Sequence, residues 1–284
     1  MFDIRSDEWA DKRINIDLNE FKKGIDFAYK NKCDGITLSG PVGKKEYSVD
    51  FNLFEKLGDT LSFLSIPSTV KLEDQKNMDG LYSLKKLKKL VLESQKPAFD
   101  LSLFPQLKQI SIEYWPGLKG MVTLKNLEAL VLRKFPGSDL EELKPLTSLK
   151  RLHIYQSKIK TVRGLGNFQK LEELNLSYNN NLSDLPDIDK VSSLKKIHIE
   201  KCEKLADVKF KKCHIKELFI SKIHSLDNIL ELKYLELLTF WDLEDGDLTP
   251  ALKLQSIKEI RFHPQKKNYT HTKEQINLLI TKRK

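Results

Sequence analysis

His153, Ser177 and Glu200 are a base, a hydroxyl and an acid, and on one surface they would resemble the working parts of a hydrolase. His153 and His198 are each flanked by two aliphatic residues, in Leu152-His153-Ile154 and Ile197-His198-Ile199, and if brought together they could hold a metal. The stretch Ser39 to Ser48, SGPVGKKEYS, is rich enough in glycine and lysine to suggest a phosphate loop. It fails the pattern, because Leu38 stands five positions before Gly43 and Lys45 follows Lys44 where a Ser or Thr is needed. Cys33, Cys202 and Cys213 form no C-x-x-C pair, and neither Cys202 nor Cys213 has the spacing of a zinc site. No metal, cofactor or disulfide is therefore expected, and free thiols point to a reducing compartment.

What these residues can do depends on the elements that carry them. The chain has 284 residues, 40% hydrophobic and 31% charged, enough apolar material for a core. Leucine accounts for 46 positions, far more than Gly and Pro together, which rules out collagen-like and low-complexity classes. The leucines recur. LKPLTSLKRLHI, LGNFQKLEELNL and IDKVSSLKKIHI all approximate L-x-x-L-x-x-L-x-x-L-x-L. The first apolar residue of each closing pair falls at Leu90, Ile110, Leu130, Leu152, Leu174, Ile197, Leu218, Leu238 and Ile260, at intervals of 20 to 23 residues. Two longer units close earlier, at Ile36 and Leu64, making eleven. A unit this short holds one strand and a helical turn and cannot bury its apolar stripe alone, so the units must stack. The two apolar residues of each closing pair then point inward, and the residue between them points out.

This pattern resembles the leucine-rich repeat superfamily over about residues 33 to 263, most nearly its short, irregular intracellular and internalin-type repeats. Asn179 and Cys202 match the Asn/Cys position that follows the strand in that family. Gln95, Trp115, Phe135, Ser157, Ile223 and Leu243 stand there in other units, so most of the family's asparagine ladder is absent. The resemblance implies an α/β fold: a right-handed horseshoe solenoid with a parallel sheet on its concave face and 3-10 or short helical turns on its convex face.

Both ends read as helical caps of a single domain, residues 1–32 and 264–284, around repeats at 33–263. Asp17 with Glu20, and Thr272 with Gln275, have capping-box spacing ahead of apolar residues at helical intervals (Phe21, Ile25 and Ala28; Ile276, Leu279 and Ile280). Charges break the first 13 residues and lysine recurs throughout, so neither a secretory signal nor a membrane span is expected, and the protein is read as cytoplasmic.

Net charge is +9, and residues 253 to 284 carry most of it, with nine basic side chains against Glu259 and Glu274. The outward strand rows are mixed: Lys89, Arg133, Arg151, Lys196 and Arg261 against Glu93, Glu113, Glu173, Glu200, Glu217 and Glu259. Only seven of the 49 basic residues are arginine, the side chain best suited to bidentate phosphate and base contacts. Nucleic acid is therefore not the expected partner. Binding of nucleic acid or an anionic surface by the basic C-terminal cap remains the alternative.

Two strand spacings, roughly 9.6 Å, separate His153 from His198, too far for a shared metal, and nothing supplies an oxyanion hole near Ser177. No enzymatic activity is expected. The outward aromatics are more telling, because Tyr155, Phe219 and Trp241 stand on solvent-facing parity, where large rings are enriched in protein-binding hot spots. We therefore expect a scaffold, monomeric when unbound, that recognises another protein through Tyr155, Phe219 and Trp241. Arg133, Arg151, His153, His198 and Glu200 would orient the partner. A cytosolic inhibitor or immunity protein of a bacterial toxin system fits that expectation. Trp115 and Phe135, at the inward Asn/Cys position, are expected to pack between repeats.

Overall fold

The computed structural model describes residues 2–40, 48–93, 95–205, 208, 210 and 213–283. Positions 41–47 of the glycine-lysine stretch, Gly43, Lys44 and Lys45 among them, lie outside the described residues. The chain divides into two compact units, Met1–Val131 and Leu132–Lys284.

In the first unit β1 (Arg13–Asp17), β2 (Gly35–Ser39), β3 (Phe63–Ile66) and β4 (Lys89–Leu92) pair in parallel, each with the next. A short pair, β5 (Phe99–Asp100) with β7 (Leu118–Lys119), lies outside that sheet, and β6 (Gln109–Glu113) pairs with β4. The register runs Ile14 to Ile36 to Leu64 to Leu90 to Ile110. β8 (Ala129–Arg133) carries the division between the units.

The second unit continues the same construction in β9 (Arg151–Tyr155), β10 (Glu173–Ser177), β11 (Lys196–Glu200), β12 (Glu217–Ile223), β13 (Leu237–Leu243) and β14 (Glu259–Phe262). Here Leu152, Leu174, Ile197, Leu218, Leu238 and Ile260 are partners in an unbroken row. None of these anchors, in either unit, is more than 2% exposed. Alternation explains why: every second side chain faces the core, and each buried Leu or Ile contributes about 1.5 to 3 kcal/mol of transfer free energy. The return path is a 3-10 turn, as at Leu101–Leu103 in the first unit and Leu165–Asn167 in the second, since about 20 residues leave no room for a long helix.

Three local features depart from the sequence expectation. β1 is a strand that the repeat count missed, and its Ile14 and Ile16 are buried like every later pair. Asp17 does not form a capping box with Glu20. As the last residue of β1 it accepts from Asn19 N and caps the 3-10 turn Leu18–Glu20, while Glu20, ahead of α1 (Phe21–Lys30), makes no side-chain cap. Glu20 pairs instead with Lys23 at 3.0 Å. At the other end Thr272 and Gln275 do form the reciprocal box on α2 (Lys273–Lys282), which buries Ile276 and Ile280 but leaves Leu279 37% exposed.

Both terminal segments cover strand edges. Arg5 bridges antiparallel to Arg13, and Trp9 packs on Phe63 with ring centroids 5.4 Å apart. A side chain at Gly35 would collide with Ala10, its Cβ falling 2.4 Å from the alanine methyl, so glycine is what lets this segment cross β2. In the second unit the Asn277 amide of α2 both accepts from Ile260 N and donates to Ile260 O, each at 2.8 Å. Satisfying the backbone of the last strand in this way removes a template for unwanted pairing.

The Asn/Cys positions all face inward, Trp115 and Phe135 included. In the second unit Asn179 accepts from Ser157 N and donates to Ile154 O, both at 2.9 Å, and Ser157 Oγ accepts from Phe135 N at 3.0 Å. In the first, Gln95 accepts from Leu72 N and donates to Val70 O, and Trp115 donates to Pro97 O at 3.0 Å. Different side chains therefore satisfy the loop backbone that an asparagine ladder would serve.

Candidate protein-binding face

All eight residues singled out from the sequence lie in the second unit, on strands β8, β9, β11, β12 and β13. Strand alternation sends them to the side opposite the leucine row. They fall into two groups, with β10 between them.

The first group is Arg133, Arg151, His153 and Tyr155. Arg151 is exposed, while Arg133, His153 and Tyr155 are half-buried. His153 Nε2 lies 2.8 Å from Glu173 Oε1, and its ring meets Tyr155 edge-on, with centroids 6.2 Å apart. Burial pushes the Tyr155 phenol above its ordinary value of 10, and the charge of Arg133 opposes that shift.

The second group is a run of rings. His198 stacks on Phe219, centroids 4.2 Å apart and planes 9° from parallel, and Phe219 meets Trp241 edge-on at 5.3 Å. Trp241 is 37% exposed, and the Lys201 ammonium lies 5.6 Å from its ring centroid. Glu200 orients the group from below, 3.2 Å from His198 Nε2 and accepting the Tyr178 hydroxyl at 3.0 Å. That hydrogen bond holds the Tyr178 proton and raises its pKa above 10. A shallow depression of about 290 Å³ runs across β10 to β13, from Glu173 and Asn175 past His198 to Phe219 and Thr239.

The hydrolase-like trio does not assemble. Ser177 is fully buried and its hydroxyl donates to Asn175 Oδ1 at 2.7 Å, while the His153 nitrogen is directed at Glu173. Asn175 is the register partner of both His153 and His198, which keeps the two imidazoles two strands apart. Among the described residues no group of three or more His, Cys, Asp or Glu could hold a metal ion. Burial pushes the Cys202 and Cys213 thiols up to about 11, so neither is a ready nucleophile.

Neither Tyr178 nor Lys201 is among the residues that the sequence singles out. Both occupy a slot recurring in Gln156, Tyr178 and Lys201, one residue before the inward Ser157, Asn179 and Cys202, where φ lies between 48° and 57°. The left-handed turn swings the side chain to the rim of the face. The repeat period alone could have flagged that slot.

The basic C-terminal segment carries less available charge than its sum suggests. Lys258 pairs with Glu236, Arg261 with Glu259 and Lys266 with Asp242, and the Arg283 guanidinium donates to the carbonyls of Leu252 and Leu254. No helix of the described residues is long and apolar enough to cross a membrane.

Residues 147–190 match a family model described as leucine rich repeats, in two copies. No curated protein matches the sequence. Among solved structures, an internalin (inlF) from Listeria monocytogenes is similar with a TM-score of 0.52 and 14% identity, over 89% of this chain and 80% of that one. A Leptospira interrogans leucine-rich-repeat protein has a TM-score of 0.45 and 18% identity over 84% of this chain and 64% of that one. The functional domain of InlJ from Listeria monocytogenes has a TM-score of 0.39 and 14% identity over 80% of this chain and 58% of that one. The shared fold rests on the first of these and on the matched repeats.

Proposed function

Because this chain is a leucine-rich-repeat solenoid, a fold that commonly mediates protein–protein interaction through its extended open face, we propose that it is a non-catalytic scaffold binding a partner protein through the sheet face of its second unit. The observation that carries this reading is the run His198, Phe219 and Trp241, held ring against ring on the solvent side of three neighbouring strands. Aromatic side chains fixed in place lose little entropy on binding and can be desolvated within a polar rim. Tyr155 is a second anchor, and Arg133, Arg151, His153 and Glu200 are its polar surroundings.

The buried free thiols of Cys33, Cys202 and Cys213 support a reducing, cytoplasmic setting. There the scaffold would be monomeric until its partner arrives, and an inhibitor or immunity protein is the role we assign to it. Titration of a cross-linked and identified partner against Tyr155→Ala, Phe219→Ala and Trp241→Ala tests the reading. Each change should weaken binding by about 1 to 4 kcal/mol, mainly through faster dissociation. Undiminished affinity in all three would move the site off this face.

A further inference from the structure

Formal charges on the second unit's face nearly cancel, but the bonding capacity of those charges does not. Glu173 is taken by His153, Glu200 by His198 and the Tyr178 hydroxyl, Glu217 by Lys196 at 2.9 Å, and Glu259 by Arg261 at 2.7 Å. Among the described residues no ion pair joins the guanidinium of Arg133 or Arg151 to a carboxylate, and the Arg133 charge acts on the half-buried Tyr155 phenol. The β8–β9 end therefore presents donors whose complement is an acceptor of negative charge, while the β11–β13 end presents rings.

Resting on the scaffold reading above, we infer that the partner offers an extended segment crossing the strands, with Asp or Glu toward Arg133 and Arg151 and a large apolar residue on Phe219 and Trp241. The occupant is an acidic protein segment. Planar guanidinium groups pair with carboxylates in a bidentate fashion, which favours a side chain that can accept two parallel hydrogen bonds. Geometry sets the spacing as well. From β9 to β12 or β13 is three or four strand spacings, about 14 to 19 Å, which an extended chain at about 3.3 Å per residue spans in about 4 to 6 residues. β10 contributes Glu173, already bonded to His153, and the small Asn175, whose side-chain oxygen accepts from the buried Ser177 hydroxyl, so a backbone can pass over Asn175.

Selection of a displayed library of random peptides, about 12 residues each to cover the predicted span, against the purified chain tests this. Enriched peptides should place Asp or Glu about 4 to 6 residues from Trp, Phe or Leu, and binding should weaken as salt rises. The double change Arg133→Ala with Arg151→Ala should weaken such a peptide about tenfold. It should do nothing to the same peptide with its acid changed to the amide. Enrichment of apolar motifs without acids, an equal loss for both peptides, or no enriched motif would each overturn the inference. So would a single-stranded oligonucleotide that displaces the peptide and loses affinity with the same two changes, since phosphate would then be the ligand. If Phe219→Ala and Trp241→Ala abolish binding while the arginine changes do not, the scaffold reading stands and the acidic segment falls. Binding that ignores all four positions removes both.

Discussion

The His198 imidazole lies flat on the Phe219 ring, 4.2 Å between centroids, although the two residues belong to different repeats and are direct register partners on β11 and β12. An unsupported phenylalanine ring on an open sheet would be free to turn. Pinned between an imidazole on one side and the edge of Trp241 on the other, this one is held for contact. His198→Ala should therefore cost about 0.5 to 1.5 kcal/mol in partner affinity, less than Phe219→Ala, by loosening the ring without removing it. Calorimetric titration of the two variants against the same partner gives the order.

The repeat register predicts opposite outcomes for adjacent residues. Leu174 is fully buried between Leu152 and Ile197, so Leu174→Asp should destabilise by roughly 3 to 5 kcal/mol. Asn175→Asp keeps the acceptor for the Ser177 hydroxyl and should stay within about 1 kcal/mol of the parent. Equal melting temperatures would show the register to be wrong.

Asn179 supplies the backbone partners of Ser157 N and Ile154 O, both deep in the loop layer. Truncation to alanine leaves a buried donor and a buried acceptor unmet, at about 1 to 3 kcal/mol each. Urea unfolding of Asn179→Ala should give a midpoint well below that of Asn180→Ala, an exposed neighbour.

Acid should loosen the C-terminal end. The Asp247 carboxylate accepts from the Thr249 hydroxyl at 2.7 Å, from Thr249 N at 2.9 Å and from the Thr270 hydroxyl, and these bonds hold its pKa below the ordinary 3.8. A depressed folded-state pKa means that the stabilisation is whole above the unfolded value and is lost as pH falls through the folded one. Melting temperature should therefore drop as pH falls below about 4, and Asp247→Asn, which cannot titrate, should flatten part of that drop. An unchanged acid limb would exclude Asp247 as a contributor.

The thiols should be silent until the chain unfolds. With Cys202 and Cys213 raised to about 11 by burial, the thiolate fraction near neutral pH is very small and access is blocked as well. Iodoacetamide followed by mass measurement should leave all three cysteines unmodified in the native protein and label all three in denaturant.

Sequence alone determined the repeat and its register, because a period of about 21 residues with paired leucines has one way to bury its apolar stripe. Every anchor from Ile36 to Ile260 faces inward, and Trp115 and Phe135 pack inside as their position required. β1 escaped because Ile14 and Ile16 sit among charges with no preceding L-x-x-L stretch, and they become a repeat only when Ile36 and Leu38 lie beside them. Parity likewise placed Tyr155, Phe219 and Trp241 outward, yet parity holds no information about partners. Only the folded chain decided that Ser177 serves Asn175, that each glutamate of the face answers a neighbour, and that Lys201 lies over Trp241. Some of those contacts join residues two positions apart and others residues about 20 to 40 apart, and all are set by strand twist, turn geometry and rotamer. A list of outward charges sums to almost nothing, and the fold shows which of them still have a bond to make.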